Sequence, residues 1–131
     1  MKIQYITLSA WKFEEMVAFY RDVLRLSLES LTDVFAQFGT EGTRFNIHAR
    51  TGEGQPLRRH TVEIHFEVED VDAAAEVLRA RGLIFEQEPA NMPWGTRQGS
   101  FRDPEGYAIE IVGPVKPGEP SKAYPSFSGA A

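Results

Sequence analysis

Three places in this chain bring together residue types that can do chemistry. In the run Val62–Val68, the residues Glu63, His65 and Glu67 alternate with Ile64, Phe66 and Val68. At the two-residue period of a strand, the acids and the imidazole share one face and the apolar residues share the other. Glu110 sits inside Ala-Ile-Glu-Ile-Val, residues 108–112. A carboxyl group flanked by apolar neighbours is a candidate general base, because burial disfavours its charge and lifts its pKa. Residues 92–97, Met-Pro-Trp-Gly-Thr-Arg, place an indole and a guanidinium on a turn. Trp94 offers a flat surface to a planar ligand, and Arg97 a planar fork to an acidic group. Phe101 is expected in the wall of such a site or in the core. Each feature also has a plainer reading. A sheet with one solvated face shows the same alternation, a solvated Glu110 titrates normally, and Trp94 can plug a subunit seam.

Elements must hold these groups in place. Residues 2–9 alternate as a strand, with Ile6 and Leu8 on one face and Tyr5 and Thr7 on the other. Phe13, Met16, Val17, Tyr20, Val23 and Leu24 then form one apolar stripe at helical spacing. Short strands follow around Leu28, at Val34–Phe38 and at Arg44–Ala49, the last carrying Asn46 and His48. Residues 51–59 contain Gly52, Gly54 and Pro56 without periodicity and read as a linker. The order then repeats. A strand at Val62–Val68 leads to Asp70 as an N-cap and to a stripe of Val71, Ala74, Ala75 and Leu78, which Gly82 closes. Strands are expected at Ile84–Glu88, Gly99–Arg102 and Tyr107–Val112, with Asp103-Pro104-Glu105-Gly106 as the last turn. Beyond residue 115 the prolines forbid a regular element, and a loosely held tail is expected over residues 116–131.

Composition bounds the possibilities. A chain of 131 residues fits one domain, and 42% apolar with 25% charged residues is ordinary for a globular protein. With no cysteine, disulfide and thiolate chemistry are excluded, and a reducing cytoplasm is the expected location. No signal peptide is expected from the first residues, and no apolar run reaches the roughly 18 residues of a membrane span. A net charge of −5 argues against a nucleic-acid partner.

The repeat is the main organisational clue. Laying Tyr5 over Glu63 puts Leu8 on Phe66, Met16 on Ala74 and Val17 on Ala75. At a slightly larger offset Gly42 meets Gly106 and Asn46 meets Glu110. Two copies of one strand–helix–strands module account for this order.

Several segments carry a family likeness. They are YITL with AFYRDVLRL in the first half, then FEVEDVDAAAEVLRARGL and PWGTRQGSFRDPEGYAIEIVGP in the second. Together, over residues 2 to about 114, they resemble the vicinal oxygen chelate superfamily of glyoxalases, bleomycin-resistance proteins and extradiol dioxygenases. Lys12 departs from the pattern, standing where the family usually has an acid that caps the helix. The resemblance implies an α+β fold of two βαβββ modules. Their open, curled mixed sheet would form half-barrels around a cleft, with helices on the convex side. Module one would span 1–50, the linker 51–59 and module two 60–115, making a single domain of 1–115.

The resemblance also implies where a metal would sit. The family's ligand positions fall on Tyr5, Asn46, Glu63 and Glu110. Only the glutamates are good ligands, since a phenol binds after losing a proton of pKa about 10 and an amide oxygen is weak. Alternation keeps His48 and His65 on the same faces, so a shifted site of His48, Glu63 or His65, and Glu110 is the alternative. The leading expectation is a small-molecule-binding protein of the glyoxalase/bleomycin-resistance type that needs no cofactor. It would take a planar or cationic ligand in an acidic, aromatic cleft lined by Tyr5, Asn46, His48, Glu63, His65, Trp94, Arg97 and Phe101. The alternatives are a lyase, isomerase or dioxygenase using zinc, manganese, iron or nickel, with Glu110 catalytic, and a domain whose chemistry is vestigial. A homodimer is expected in each case.

Overall fold

A computed structural model describes residues 3–50 and 62–123. The expected linker and His60 lie outside the described residues, as do Tyr124 and Phe127 of the tail. Two compact units are present: residues 1–62 together with 102–107, and residues 63–101 together with 108–131.

The first unit runs β1 (Tyr5–Ala10), α1 (Phe13–Ala18), a π-helical turn (Phe19–Val23), β2 (Ser27–Leu31), β3 (Phe35–Gly39) and β4 (Arg44–Ala49). Its strands lie in the order β1-β4-β3-β2, with β1 parallel to β4 and the other pairs antiparallel. Register places Leu8 beside Ile47 and Ile47 beside Ala36, and it pairs Phe45 with Phe38. All five are buried, as are Met16, Val17 and Tyr20 of the helical segment. The Tyr20 ring stands 4.6 Å from that of Phe45 and 6.2 Å from that of Phe38, centroid to centroid. Ile6 departs from expectation: although it shares the parity of Leu8, it is exposed. The helix is also shorter than its apolar stripe. After Ala18 it widens, with the Leu24 N–H donating to the Phe19 carbonyl, and Arg25 ends it at φ 55. A left-handed arginine costs about 1 kcal/mol, and nothing in the sequence announces it.

The turn Asp103–Tyr107 packs within this first unit. Asp103 Oδ1 accepts the N–H groups of Glu105 and Tyr107 at 3.0 and 2.9 Å, and Oδ2 accepts the Tyr20 hydroxyl at 2.7 Å. Gly106 closes the turn at φ 94, a conformation that favours glycine. Lys12 contributes no side-chain cap to α1; instead its N–H donates to the Glu105 carboxylate at 2.6 Å.

The second unit runs β5 (Glu63–Glu67), α2 (Val71–Ala80), β6 (Gln87–Asn91), β7 (Arg97–Arg102) and β8 (Ala108–Gly113), in the order β5-β8-β7-β6. Each sheet thus sets its first strand parallel to its last, and the module repeat read from the sequence is present. Asp70 caps α2 by accepting the Ala73 N–H at 3.1 Å, and Gly82 leaves it at φ 92. Val71, Ala75 and Leu78 are buried along one side of α2, which packs on β8 and β6.

Two expectations about this unit need correction. The strand expected at Ile84–Glu88 begins instead at Gln87, and Ile84 is 87% exposed. Leu83 and Phe85 are buried, but ladder pairing with β7 starts only at Gln87 and is broken by a register shift between Gln87 and Ala90. Pro89 falls inside that shift on an edge strand, where its missing N–H is tolerated. Residues 116–122, expected to be loosely held, are pinned to the unit. Prolines exclude a regular element there but leave the segment's N–H and C=O groups free to bond the buried side chain of Asn91. Among the described residues, no helix is long and apolar enough to cross a membrane.

Candidate functional site

Parallel pairing of β5 with β8 sets His65 directly beside Glu110, whereas Glu63 pairs with Ala108. Side chains at paired positions emerge on the same face, so imidazole and carboxylate meet. His65 Nδ1 lies 2.8 Å from Glu110 Oε2, and His65 Nε2 lies 3.6 Å from Glu63 Oε2. The ligand-capable atoms of Glu63, His65 and Glu110 all fall within 4.8 Å of one another. A fourth group joins from β7. Gln98 Nε2 donates to Glu110 Oε2 at 2.7 Å, while Gln98 Oε1 accepts from Trp94 Nε1 at 2.5 Å and Thr96 Oγ1 at 2.8 Å. The result is a continuous chain from the indole, through an amide, to a carboxylate and an imidazole.

Glu110 is held between opposing influences. Burial raises its pKa above the ordinary carboxylate value, the His65 imidazole lowers it, Glu63 raises it, and the Gln98 amide lowers it. Burial prevails, so the group accepts and releases a proton closer to neutrality than a free glutamate. It opens onto a cavity of ≈ 190 Å³ whose walls include Met92, Trp94, Gln98, Glu110 and Lys122. Pockets for drug-sized ligands span roughly 300–1,000 Å³, so this smaller space suits a small metabolite.

The alternation of β7 sorts the residues proposed from sequence. Gln98 faces the cavity. Arg97, Gly99 and Phe101 face the other way, toward α2 and the core. Phe101 is buried edge-to-face against Phe85 with centroids 5.5 Å apart, and a Cβ at Gly99 would stand 3.1 Å from Phe85. Arg97 is buried too. Its Nε and Nη2 donate to Asp72 of α2 at 3.1 and 2.9 Å, and its Nη1 bonds Asn91 Oδ1 at 3.2 Å and the Glu119 carboxylate. Four of its five N–H donors bond protein groups, and Phe101 is core. Both leave the set of ligand contacts expected from sequence.

The remaining candidates belong to the first unit. Tyr5 is exposed and pairs in register with Arg44. Thr7, not Tyr5, pairs with Asn46, and Gln37 flanks Asn46 on the other side. The trio Thr7, Asn46 and Gln37 is therefore the module-one counterpart of His65, Glu110 and Gln98, with neutral groups in place of the ionisable ones. Asn46 is 5% exposed; its Nδ2 donates to Thr7 Oγ1 at 3.3 Å, and its Oδ1 has no hydrogen-bond partner among the described residues. His48 is half-buried beside the Phe35 ring at 6.5 Å.

Sequence reasoning missed Gln98, Met92 and Lys122. Gln98 had a signal: once Phe101 is assigned to the core, two-residue alternation sends 97 and 99 with it and 98 to the opposite face. Lys122 had none, because its position depends on where the proline-rich segment is pinned.

A family model described as the Glyoxalase/Bleomycin resistance protein/Dioxygenase superfamily matches residues 2–111. The uncharacterized protein YraH of Bacillus subtilis (strain 168) is 30% identical over 124 residues, spanning 85% of this chain and 97% of YraH. Among solved structures, a glyoxalase/bleomycin resistance protein/dioxygenase from Nocardioides superposes with a TM-score of 0.77 at 26% identity, covering 95% of this chain and 90% of that one. A lactoylglutathione lyase from Agrobacterium tumefaciens shares the fold with a TM-score of 0.67 at 23% identity, covering 85% of this chain and 92% of its own.

Proposed function

The chain belongs to the glyoxalase/bleomycin resistance protein/dioxygenase superfamily, and within it we propose that this protein binds a small planar molecule in the cavity of its second unit. The observation that carries this reading is the chain Trp94–Gln98–Glu110 along the cavity wall, extended behind Glu110 by His65. Trp94, a residue 53% exposed, supplies an aromatic face whose edge is fixed by Gln98. Glu110 supplies an acceptor for an N–H or ammonium group of the ligand, backed by His65. Tyr5 and Asn46, at two of the four positions where the family places metal ligands, are weak donors to a metal, which favours binding without one. The reading includes a cytoplasmic homodimer, to be checked by light scattering.

The test is a titration with benzylamine, a planar ring bearing an ammonium group, followed through the Trp94 indole N–H resonance. Saturable shifts that Glu110→Gln weakens are expected, and in calorimetry Trp94→Ala should lose the binding heat. No shift of that resonance with benzylamine, nor with neutral or anionic ring analogues, would overturn the cavity reading.

A second reading is favoured by one observation, the convergence of Glu63, His65 and Glu110. One imidazole and two carboxylates suit a hard or borderline divalent ion such as manganese, iron or zinc. Such an ion would supply Lewis-acid polarisation of substrate oxygens. The chain's own part would be to present these three groups on adjacent strands, with Gln98 fixing the Glu110 rotamer. Elemental analysis of protein purified without chelator decides between the readings. Near-stoichiometric metal lost on His65→Ala or Glu110→Ala establishes the metal site, and its absence after incubation with those ions retires it.

A further inference from the structure

The segment that follows β8 is held by two buried residues of the second unit. Asn91 is 2% exposed. Its Oδ1 accepts the Lys116 N–H at 2.8 Å, and its Nδ2 donates to the carbonyls of Lys116 and Glu119 at 2.9 Å each. Its own carbonyl accepts the Lys122 N–H at 2.9 Å. Arg97 adds an ion pair to Glu119. Asn91 thus spends both side-chain groups and its carbonyl on this segment, and the last of these bonds fixes the backbone of Lys122. Lys122 and Ala123 lie against the cavity that Trp94, Gln98 and Glu110 also line.

Lys122 is the only cation among those lining residues. Among the described residues its ammonium has no carboxylate within salt-bridge distance. An ammonium has three donors and no acceptor, so it is satisfied by water or by an anion. Pinning the main chain removes part of the ordering cost that a free tail would incur on engaging a ligand. The rest of the polar lining offers amides and one carboxylate, none of which carries a positive charge for an anion.

We propose that the clamp of Asn91 and Arg97 on residues 116–122 makes Lys122 an anion subsite, so that the cavity selects small planar molecules bearing a carboxylate. This rests on the cavity being the binding site. The segment is therefore part of the site's specificity, and the ligand presents a donor to Glu110 and an acid to Lys122.

The test compares benzoate with benzamide, its neutral near-isostere, with benzylamine as a third probe, each titrated into the full chain by calorimetry and by the Trp94 indole resonance. Benzoate is expected to bind about fivefold more tightly than benzamide, the factor reasonable for a charge contact open to solvent. Lys122→Met, which keeps the length of the stem, should erase that preference, so that benzoate and benzamide then bind equally. Glu119→Gln, which loosens the clamp outside the cavity, should reduce the preference in the same direction. Equal binding of benzoate and benzamide, or a preference that survives Lys122→Met, overturns the anion subsite while benzylamine binding leaves the cavity reading standing. Failure of all three probes to shift the Trp94 resonance overturns both.

Discussion

Replacing Tyr20 by phenylalanine removes one oxygen and little else. The ring keeps its packing against Phe38 and Phe45, and the site is fully buried. What is lost is the 2.7 Å bond to Asp103, a carboxylate that is itself 5% exposed. A hydrogen bond to a buried charged group contributes about 1.5–3 kcal/mol, and Asp103 retains two backbone donors, so a cost of about 2 kcal/mol is expected. For a chain of this size that corresponds to a fall in Tm of about 8 °C. The pH dependence is more discriminating. Burial raises the Asp103 pKa, and the Tyr20 hydroxyl and the backbone N–H groups pull it back. A carboxyl raised in the folded state binds more protons there than in the unfolded chain, so its contribution to stability falls as pH rises from the ordinary carboxylate value through the raised one. Removing the hydroxyl raises the folded value further and widens that window. The deficit of Tyr20→Phe should therefore be larger at pH 7 than near pH 3, because the lost bond favours the charged form of Asp103. Urea denaturation at the two pH values measures it. A deficit that is equal at both, or larger in acid, would refute the charged hydrogen bond as the source of the stabilisation.

Other outcomes follow from the same structure. Phe101→Ala should cost roughly 3–5 kcal/mol in urea denaturation, as for a large core truncation, yet leave probe affinity per folded molecule unchanged. Gln98→Met removes a donor that favours the charged form of Glu110, so the Glu110 carboxyl should titrate at higher pH in a carbon NMR titration; an unchanged midpoint would deny Gln98 that role. Arg97→Lys keeps the charge but loses the planar fork shared by Asp72, Asn91 and Glu119, and amide exchange at Lys116 and Lys122 should accelerate.

The α+β class, the doubled module and most strand positions were legible in the sequence, because they rest on local periodicity. The alternation of Glu63, His65 and Glu67 with Ile64 and Phe66 defined the polar face of β5, and Asp70 and Gly82 marked the ends of α2 by their capping chemistry. Glu63, His65 and Glu110, singled out as residue types, do converge. The face of β7 was harder. Arg97 and Trp94 share one turn in the sequence, but β7 begins at Arg97, and alternation sends Arg97 to α2 while Gln98 faces Glu110.

Strand register and the path of the proline-rich segment were decided only by tertiary structure. Register sets His65, rather than Glu63, beside Glu110, and it depends on pairing between strands more than forty residues apart in sequence. The course of residues 116–122 depends on hydrogen bonds to Asn91, a residue that looks like any strand-end asparagine until its side chain is buried. Local pattern fixes which face a residue prefers; only the packed chain fixes which partner it meets there.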